Sequence, residues 1–159
     1  MTPALRPYRD GDAPALCAVF VEAVRTGAAT RYTEAQRLAW GPRTEMPADW
    51  PAFLAGMDIW IAEIDGAIAG FFAATPKGYI DLAFVRPEWM GRGVAQALYD
   101  HILGKARQRT LPRLSVHASH LARSFFARNG WQVDHPETVT RGGQSLERFA
   151  MSLQLEPTP

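Results

Sequence analysis

The sequence is poor in cysteine and has no long apolar run. Its only cysteine among 159 residues is Cys17, which excludes an intrachain disulfide framework and a multi-cysteine metal site. No apolar segment approaches the roughly 20 residues that span a bilayer, and residues 1–12 are too polar for a signal peptide. We therefore expect a cytoplasmic protein with no metal and no membrane partner.

The sequence also lacks an excess of one charge. Seventeen Lys and Arg oppose sixteen Asp and Glu, for a formal net charge of +1, and the basic residues are scattered. This balance predicts no nucleic-acid partner. The length and the 47% hydrophobic content suit one domain with its own core. We assign that domain to residues 1–154 and predict a disordered tail at 155–159.

Two common nucleotide-binding motifs are missing. No Gly-Lys-Ser or Gly-Lys-Thr occurs, so the P-loop pattern G-x-x-x-x-G-K-S/T is absent. A Gly-x-Gly occurs at Gly91–Gly93, but Gln96 stands where a dinucleotide fingerprint has its third glycine. The sequence therefore argues against nucleotide hydrolysis and against a nicotinamide enzyme.

The order of apolar patterns and turn signals predicts an α/β domain. Asp10 or Asp12 can cap a first helix, and a second helix starts near Thr33 and precedes a loop, GPRTEMPADWP. The later elements are three antiparallel strands turning at Asp65-Gly66 and Pro76–Gly78, a helix 92–109, a strand 113–118, a helix 119–128 and a hairpin turning at 141–143.

The stretch FVRPEWMGRGVAQAL places glycines where a strand gives way to a helix. The first N–H groups of that helix lack intrahelical acceptors, and its dipole makes this end partly positive. Gly91 and Gly93 keep β-carbons away from those donors, and Arg92 adds a positive charge, so a pyrophosphate would fit. The alternative is that the glycines only shape a tight turn.

The element order and two motifs resemble the GNAT superfamily of acetyl-CoA-dependent N-acetyltransferases. The family pattern Q/R-x-x-G-x-G/A reads MGRGVA at residues 90–95, and A-x-x-F-Y/F-x-x-x-G-F/Y/W is similar to the segment from Ala122 to Trp131. The segments RYTEAQRLAW, HASHLARSFFARNGW and GGQSLERFAMSL look most like the YafP-like branch of this superfamily.

The resemblance implies an α/β GNAT fold: a mixed, mostly antiparallel sheet of about seven strands, splayed between strands 4 and 5 and flanked by about four helices. It implies acetyl-CoA as co-substrate, direct acetyl transfer to a primary amine of a small molecule, and a homodimer as one assembly state. The coenzyme-binding residues that it implies are Ala83, Val85, Met90, Gly91, Arg92, Gly93, Val94, Ala95, Ser119 and Phe126.

Three of these positions depart from the family pattern. Met90 replaces the usual Gln or Arg, which removes a side-chain donor but leaves the backbone donors. Phe126 stands where many members have a tyrosine that protonates the departing thiolate, so this chain lacks that acid. Ser119 stands where an asparagine often faces the coenzyme, and its alternative role is to cap the following helix.

Catalysis also requires a group that accepts the proton of the amine, which has a pKa near 10.4. Strand alternation predicts that Tyr79 and Asp81 share a face with Ala83 and Val85. Asp81 is then the first candidate base, His117 the second and Tyr79 the third. Asp81 could instead pair with an arginine or cap a turn, and His117 could be structural.

The remaining site predictions concern the acetyl carbonyl and the acceptor. The resemblance assigns the backbone N–H of Val85 to the carbonyl. Phe20, Tyr32 and Trp40, with Trp50, are candidates for an acceptor wall, although each could equally be core. The alternative to an enzyme is a non-catalytic acyl-CoA-binding or sensor module of the same fold.

Overall fold

The structure, a computed structural model, describes residues 2–27, 32–40 and 46–155. This part of the chain forms seven strands and five α-helices. In chain order these are β1 (Ala4–Pro7), α1 (Ala13–Glu22), a π-helical turn (Ala23–Gly27), α2 (Glu34–Trp40), α3 (Trp50–Leu54), β2 (Asp58–Ile64), β3 (Ala67–Ala74), β4 (Tyr79–Val85), a 3₁₀ turn (Pro87–Trp89), α4 (Val94–Gln108), β5 (Arg113–Ala118), α5 (His120–Arg128), β6 (Gln132–Arg141) and β7 (Gln144–Gln154).

The strands form one mixed sheet in the order β1-β2-β3-β4-β5-β7-β6. Every neighbouring pair is antiparallel except β4 and β5, which pair in parallel only at Tyr79 with Ser115 and at Ile80 with Val116. Beyond Ile80 the two strands diverge. The seven strands and this splay confirm the predicted architecture.

One helix was not predicted. Helix α3 lies in the segment interpreted as a loop. Five residues are too few for a helix to be stable by propensity alone, and here Pro51 lies in its first turn while Trp50 and Leu54 are buried. Packing of these two side chains with α1 residues therefore stabilises α3.

The core lies on both faces of the sheet, because neighbouring residues of a strand point to opposite faces. On β3, Phe72 packs in a cluster with residues of α4 and α5. Phe71 and Ala73 pack in a second cluster with α1 and α3. The sheet is thus covered on both faces. The gap between the diverging strands β4 and β5 lies between these two layers of packed side chains.

A β-bulge in β4 shifts the alternation of its side chains. Ala73 pairs with Leu82 and Ala74 pairs with Ile80, so Asp81 is an extra residue without a partner position on β3. Ile80 consequently packs in the same cluster as Val85, whereas Leu82 packs on the other face. The prediction of an uninterrupted alternation along β4 was wrong, because strict alternation of side chains does not account for the extra residue of a bulge.

The ends of the domain also differ from expectation in detail. Asp12 occupies the N-cap position of α1, but its carboxylate makes no cap bond. It accepts hydrogen bonds from Arg6 Nη1 and Nη2 at 2.8 and 2.9 Å and from the Arg9 N–H at 2.9 Å. Leu155, assigned to the disordered tail, is buried, and its N–H donates to the Pro112 carbonyl at 3.0 Å.

Candidate active site

The splay leaves backbone donors of β4 facing an open space. The Arg86 N–H donates to the Ala69 carbonyl on the β3 side at 2.8 Å. Backbone groups of successive strand residues point to opposite neighbours, so the N–H groups of Val85 and Ala83 point toward β5. That strand pairs with β4 only as far as Ile80. Val85 and Ala83 thus direct donors into the splay.

The loop before α4 has a backbone shape that glycine favours. Gly91 and Gly93 have φ angles of +74° and +86°, and a β-carbon added at either would meet nothing within 4 Å. Gly93 is the N-cap of α4 and has no side chain to satisfy the first helical N–H groups. The glycines therefore shape the turn and also leave its donors accessible.

A cavity of about 430 Å³, which we call the loop cavity, lies between this loop and the splay. Its lining includes eight of the predicted coenzyme-binding residues: Ala83, Val85, Met90, Gly91, Gly93, Ala95, Ser119 and Phe126. Two others lie elsewhere. The Val94 side chain is buried in the core, and the exposed Arg92 guanidinium lies 5.5 Å from the centre of the Trp89 ring.

Ser119 and Phe126 also have structural roles. Ser119 is the N-cap of α5, and its Oγ accepts a hydrogen bond from the Ala122 N–H at 3.2 Å. Phe126 is only 1% exposed and packs against Phe125 and Trp131. Both line the loop cavity and also a second cavity.

This second cavity, of about 320 Å³, is called the hairpin cavity because β6 and β7 form one side of it. Phe20, Tyr32 and Trp50 line it. The Tyr32 hydroxyl accepts from the His120 N–H at 2.8 Å and donates to the Glu147 carbonyl at 3.3 Å. These rings thus belong to the cavity wall and are also held by core contacts. The predicted Trp40 ends α2, and its side chain lies outside the described residues.

Three side chains of the hairpin cavity, Tyr79, His117 and Arg148, form a series of polar contacts with Glu137. The Tyr79 hydroxyl lies 2.8 Å from His117 Nδ1, and His117 Nε2 lies 3.5 Å from Glu137 Oε1. Arg148 Nε donates to the same oxygen at 2.6 Å. A carboxylate only accepts, so it favours the tautomer with a proton on Nε2. Nδ1 of His117 is then the acceptor for the Tyr79 O–H.

The charge states follow from burial and from these neighbours. Burial lowers the pKa of His117 and raises the pKa of Tyr79, which favours their neutral forms. The hydrogen bond from Arg148 lowers the pKa of Glu137, which stays ionised. The result is a neutral histidine whose Nδ1 can receive a proton through Tyr79.

Asp81 lies in the same cavity at the bulge of β4. The residue as a whole is exposed, but its carboxyl group is partly shielded from water by the cavity wall. This desolvation raises the pKa of the carboxyl group above its ordinary value. Within the described ranges its carboxylate makes no hydrogen bond or ion pair. The arginine pair and the turn cap considered as alternatives are therefore not found there. Asp81 keeps both oxygens available to a ligand.

The sequence interpretation missed Glu137 and Arg148. They face each other across the β6–β7 hairpin, in a register that starts with Arg141 opposite Gln144 at the turn. Counting outward from the predicted three-residue turn, 141–143, pairs Glu137 with Glu147, whereas the two-residue turn of the structure, Gly142-Gly143, pairs Glu137 with Arg148. The contact of this pair with His117, by contrast, depends on the packing of β7 against β5.

Three further observations concern the thiol, grouped metal-ligating side chains and the helices. Cys17 is buried, and burial raises the pKa of its thiol, which disfavours a nucleophilic thiolate. Among the described residues, no three His, Cys, Asp or Glu side chains are grouped to hold a metal ion. No described helix is long and apolar enough to cross a membrane.

Comparison with known proteins agrees with this arrangement. Residues 28–153 match the family described as Acetyltransferase (GNAT) domain. The chain belongs to the GNAT acetyltransferase family. It is 35% identical over 147 residues to the protein named Uncharacterized N-acetyltransferase YafP of Escherichia coli K12, which covers 92% of this chain and 93% of that protein.

Solved structures of this family share the fold. The GCN5-related N-acetyltransferase from Rhodopseudomonas palustris superposes with a TM-score of 0.91 at 34% identity, covering 98% of this chain and 97% of that one. YncA from Salmonella typhimurium, solved with acetyl-CoA, has a TM-score of 0.69 at 17% identity, covering 100% of this chain and 97% of that one. This second similarity concerns the fold alone.

Proposed function

We propose that this GNAT protein is an acetyl-CoA-dependent N-acetyltransferase that acts on a primary amine of a small molecule by direct attack in a ternary complex. One observation carries the proposal. The loop cavity and the hairpin cavity share Ala83, Phe84, Ser119, Ala122 and Phe126, so they meet at the splayed part of β4. A donor in one and an amine in the other can therefore reach the same strand.

The residues of the loop cavity fit the coenzyme. The N–H groups at the start of α4 would bind its pyrophosphate, since the glycine loop leaves them accessible. The N–H of Val85, directed into the splay, would donate to the acetyl carbonyl as its oxygen gains negative charge. These contacts use the backbone, so Met90 in place of Gln or Arg leaves them intact.

The residues of the hairpin cavity would manage the proton of the amine. An alkyl amine is mostly protonated at neutral pH, and Asp81 offers a free carboxylate with a raised pKa. Tyr79 and His117 provide a second route, because the Tyr79 oxygen can accept a proton while its own proton moves to His117 Nδ1. Either route leaves a neutral nitrogen lone pair for attack.

The reaction then replaces a C–S bond with a C–N bond. The neutral amine nitrogen attacks the acetyl carbon, the electron pair of the broken C–S bond goes to sulfur, and the nitrogen then releases its second proton to water. A thiol has a pKa near 8.5, so its thiolate is a tolerable leaving group. Phe126 has no hydroxyl, so the sulfur would receive its proton from water.

Phe126 also favours the competing function, an acyl-CoA-binding module without catalysis. Purified protein should be mixed with acetyl-CoA and a panel of primary amines, with release of free thiol as the readout and calorimetry to measure acetyl-CoA binding. Amine-dependent thiol release supports the enzyme. Binding without release from any amine supports the module, and absence of both contradicts the proposal.

The cytoplasmic location, the homodimer and the absence of nucleic-acid partners stay predictions.

A further inference from the structure

Two arginines of the closing hairpin line the hairpin cavity. Arg148, on β7, is held by its Nε bond to Glu137, and its side chain is 30% exposed. Among the described residues, its Nη1 and Nη2 groups have no hydrogen-bond partner. The guanidinium is therefore fixed at one edge and has its remaining donors available.

Arg141, at the end of β6, lies in the same lining. It is exposed, and the residues that the structure describes give it no hydrogen bond or ion pair. Arg141 and Arg148 lie on the same face of the β6–β7 hairpin, on either side of the Val139–Leu146 pair, and this face lines the cavity.

The negative groups of the cavity are arranged differently. Glu147 Oε1 lies 2.8 Å from His120 Nε2, whereas Asp81 has no partner in the described ranges. The cavity therefore combines the two arginines of the hairpin with a free carboxylate at the bulge of β4.

The same cavity also has an aromatic surface. Phe20 and Phe84 pack edge to face with ring centres 4.8 Å apart, and the Trp50 ring lies 5.9 Å from Phe20. All three rings line the cavity. An apolar group of a ligand would bury its surface against them.

We infer that the acceptor is an amino acid-like compound, with a primary amine at Asp81, an apolar or aromatic body against these rings, and a carboxylate bound by Arg141 and Arg148. The inference rests on the proposed function, whose acceptor it names by class. A volume of about 320 Å³ suits a single small molecule. Glu137 offsets one of the two arginine charges, so a singly charged carboxylate is matched better than a doubly charged phosphate.

The test compares acceptors that differ only in the anionic group. L-Phenylalanine is paired with 2-phenylethylamine, and L-leucine with 3-methylbutylamine. A phosphonate analogue of phenylalanine forms the third arm. We expect kcat/KM to be about tenfold or more higher for the carboxylate member of a pair, with the phosphonate in between. Equal values within both pairs, or a preference for the phosphonate, would overturn the inference and leave the acetyltransferase proposal standing.

Arginine variants provide the second measurement. Arg141→Gln and Arg148→Gln should each lower the ratio of kcat/KM within a pair by about tenfold. Arg107→Gln is the matched control, since Arg107 is an exposed residue of α4 that lines neither cavity. An unchanged ratio in both cavity variants contradicts the assignment.

A binding assay covers the case in which none of these amines is acetylated. Calorimetry in the presence of coenzyme A would compare N-acetyl-L-phenylalanine with N-acetyl-2-phenylethylamine. Tighter binding of the carboxylate that is lost in Arg141→Gln supports the inference, and equal or absent binding of both refutes it. Failure of the proposed function is recognised separately, by absence of both acetyl-CoA binding and thiol release.

Discussion

The loop cavity and the hairpin cavity are built in different ways. Much of the lining of the loop cavity comes from one stretch of chain, residues 83–96, supplemented by α5. The hairpin cavity takes its lining from α1, α3, β4, β5, α5 and the β6–β7 hairpin. A site assembled from one stretch leaves a motif in the sequence, whereas a site assembled from distant elements does not.

The two cavities also differ in the groups that they present. The loop cavity offers backbone N–H groups, which a change of side chain such as Met90 leaves in place. The hairpin cavity offers the side chains of Tyr79, Asp81, His117 and Arg148. Substitutions should therefore separate the two cavities, since each can be damaged without the other.

The largest expected effect is on the hairpin cavity. Asp81→Asn keeps the size of the side chain but removes its basicity, so kcat/KM for the amine should fall by about 100-fold or more. Affinity for acetyl-CoA, measured by calorimetry, should stay nearly constant. Asp10→Asn, at an exposed residue outside both linings, is the control. Full activity in Asp81→Asn would move the proton-accepting role to His117 or water.

A substitution in the loop cavity should have the opposite effect: it should weaken acetyl-CoA binding and leave the hairpin cavity intact. Gly93→Val places a branched β-carbon in the space above the loop and should weaken acetyl-CoA binding at least tenfold, about 1.4 kcal/mol. Gly66→Val is a matched control, because Gly66 has a similar φ of +78° and equally open surroundings in the β2–β3 turn. Both variants should lose stability from backbone strain, and only Gly93→Val should lose affinity. Equal affinity in the two folded variants would remove the coenzyme from this loop.

A smaller effect tests the boundary between the cavities. Phe126→Tyr adds one hydroxyl to a ring that is 1% exposed and packed against Trp131. We expect a loss of about 1 kcal/mol in the free energy of unfolding, because the hydroxyl is desolvated without a partner. Phe53→Tyr, on a ring that is 41% exposed, should be nearly neutral in the same denaturant titration. A stable Phe126→Tyr variant with a higher rate would show that the ring occupies the position of the family acid.

The smallest effect is on the shape of the pH profile. Deprotonation of Asp81, His117 and the amine should raise kcat/KM with pH, and burial lowers the pKa of His117, so its neutral form persists below its ordinary pH range. Burial raises the pKa of Tyr79, so its hydroxyl stays protonated beyond its usual value of about 10. The profile should reach a plateau without a falling limb below about pH 10. A falling limb near pH 8 would indicate that a protein group titrating near that pH donates a proton in the reaction.

Much of the fold and of the loop cavity could be predicted from the sequence. The β2–β3 turn at Asp65-Gly66, the N-cap at Ser119 and the glycine turn before α4 each depend on residues close together in the chain, and the structure contains all three. Local backbone preferences decide such features. The seven-stranded architecture followed from these signals together with the family resemblance.

The tertiary structure alone decided the arrangement of the hairpin cavity. The bulge at Asp81, the contact of Tyr79 with His117 and the burial of α3 all depend on strand register or on packing between distant segments. The alternation of apolar and polar residues indicates which face of a sheet a residue prefers. It does not show where an extra residue is inserted or which residue of the neighbouring strand lies opposite. The sequence by itself determined the glycine turn at which we propose that the pyrophosphate binds, because a turn depends on neighbouring residues. Packing between distant elements determined which side chains line the cavity proposed for the amine.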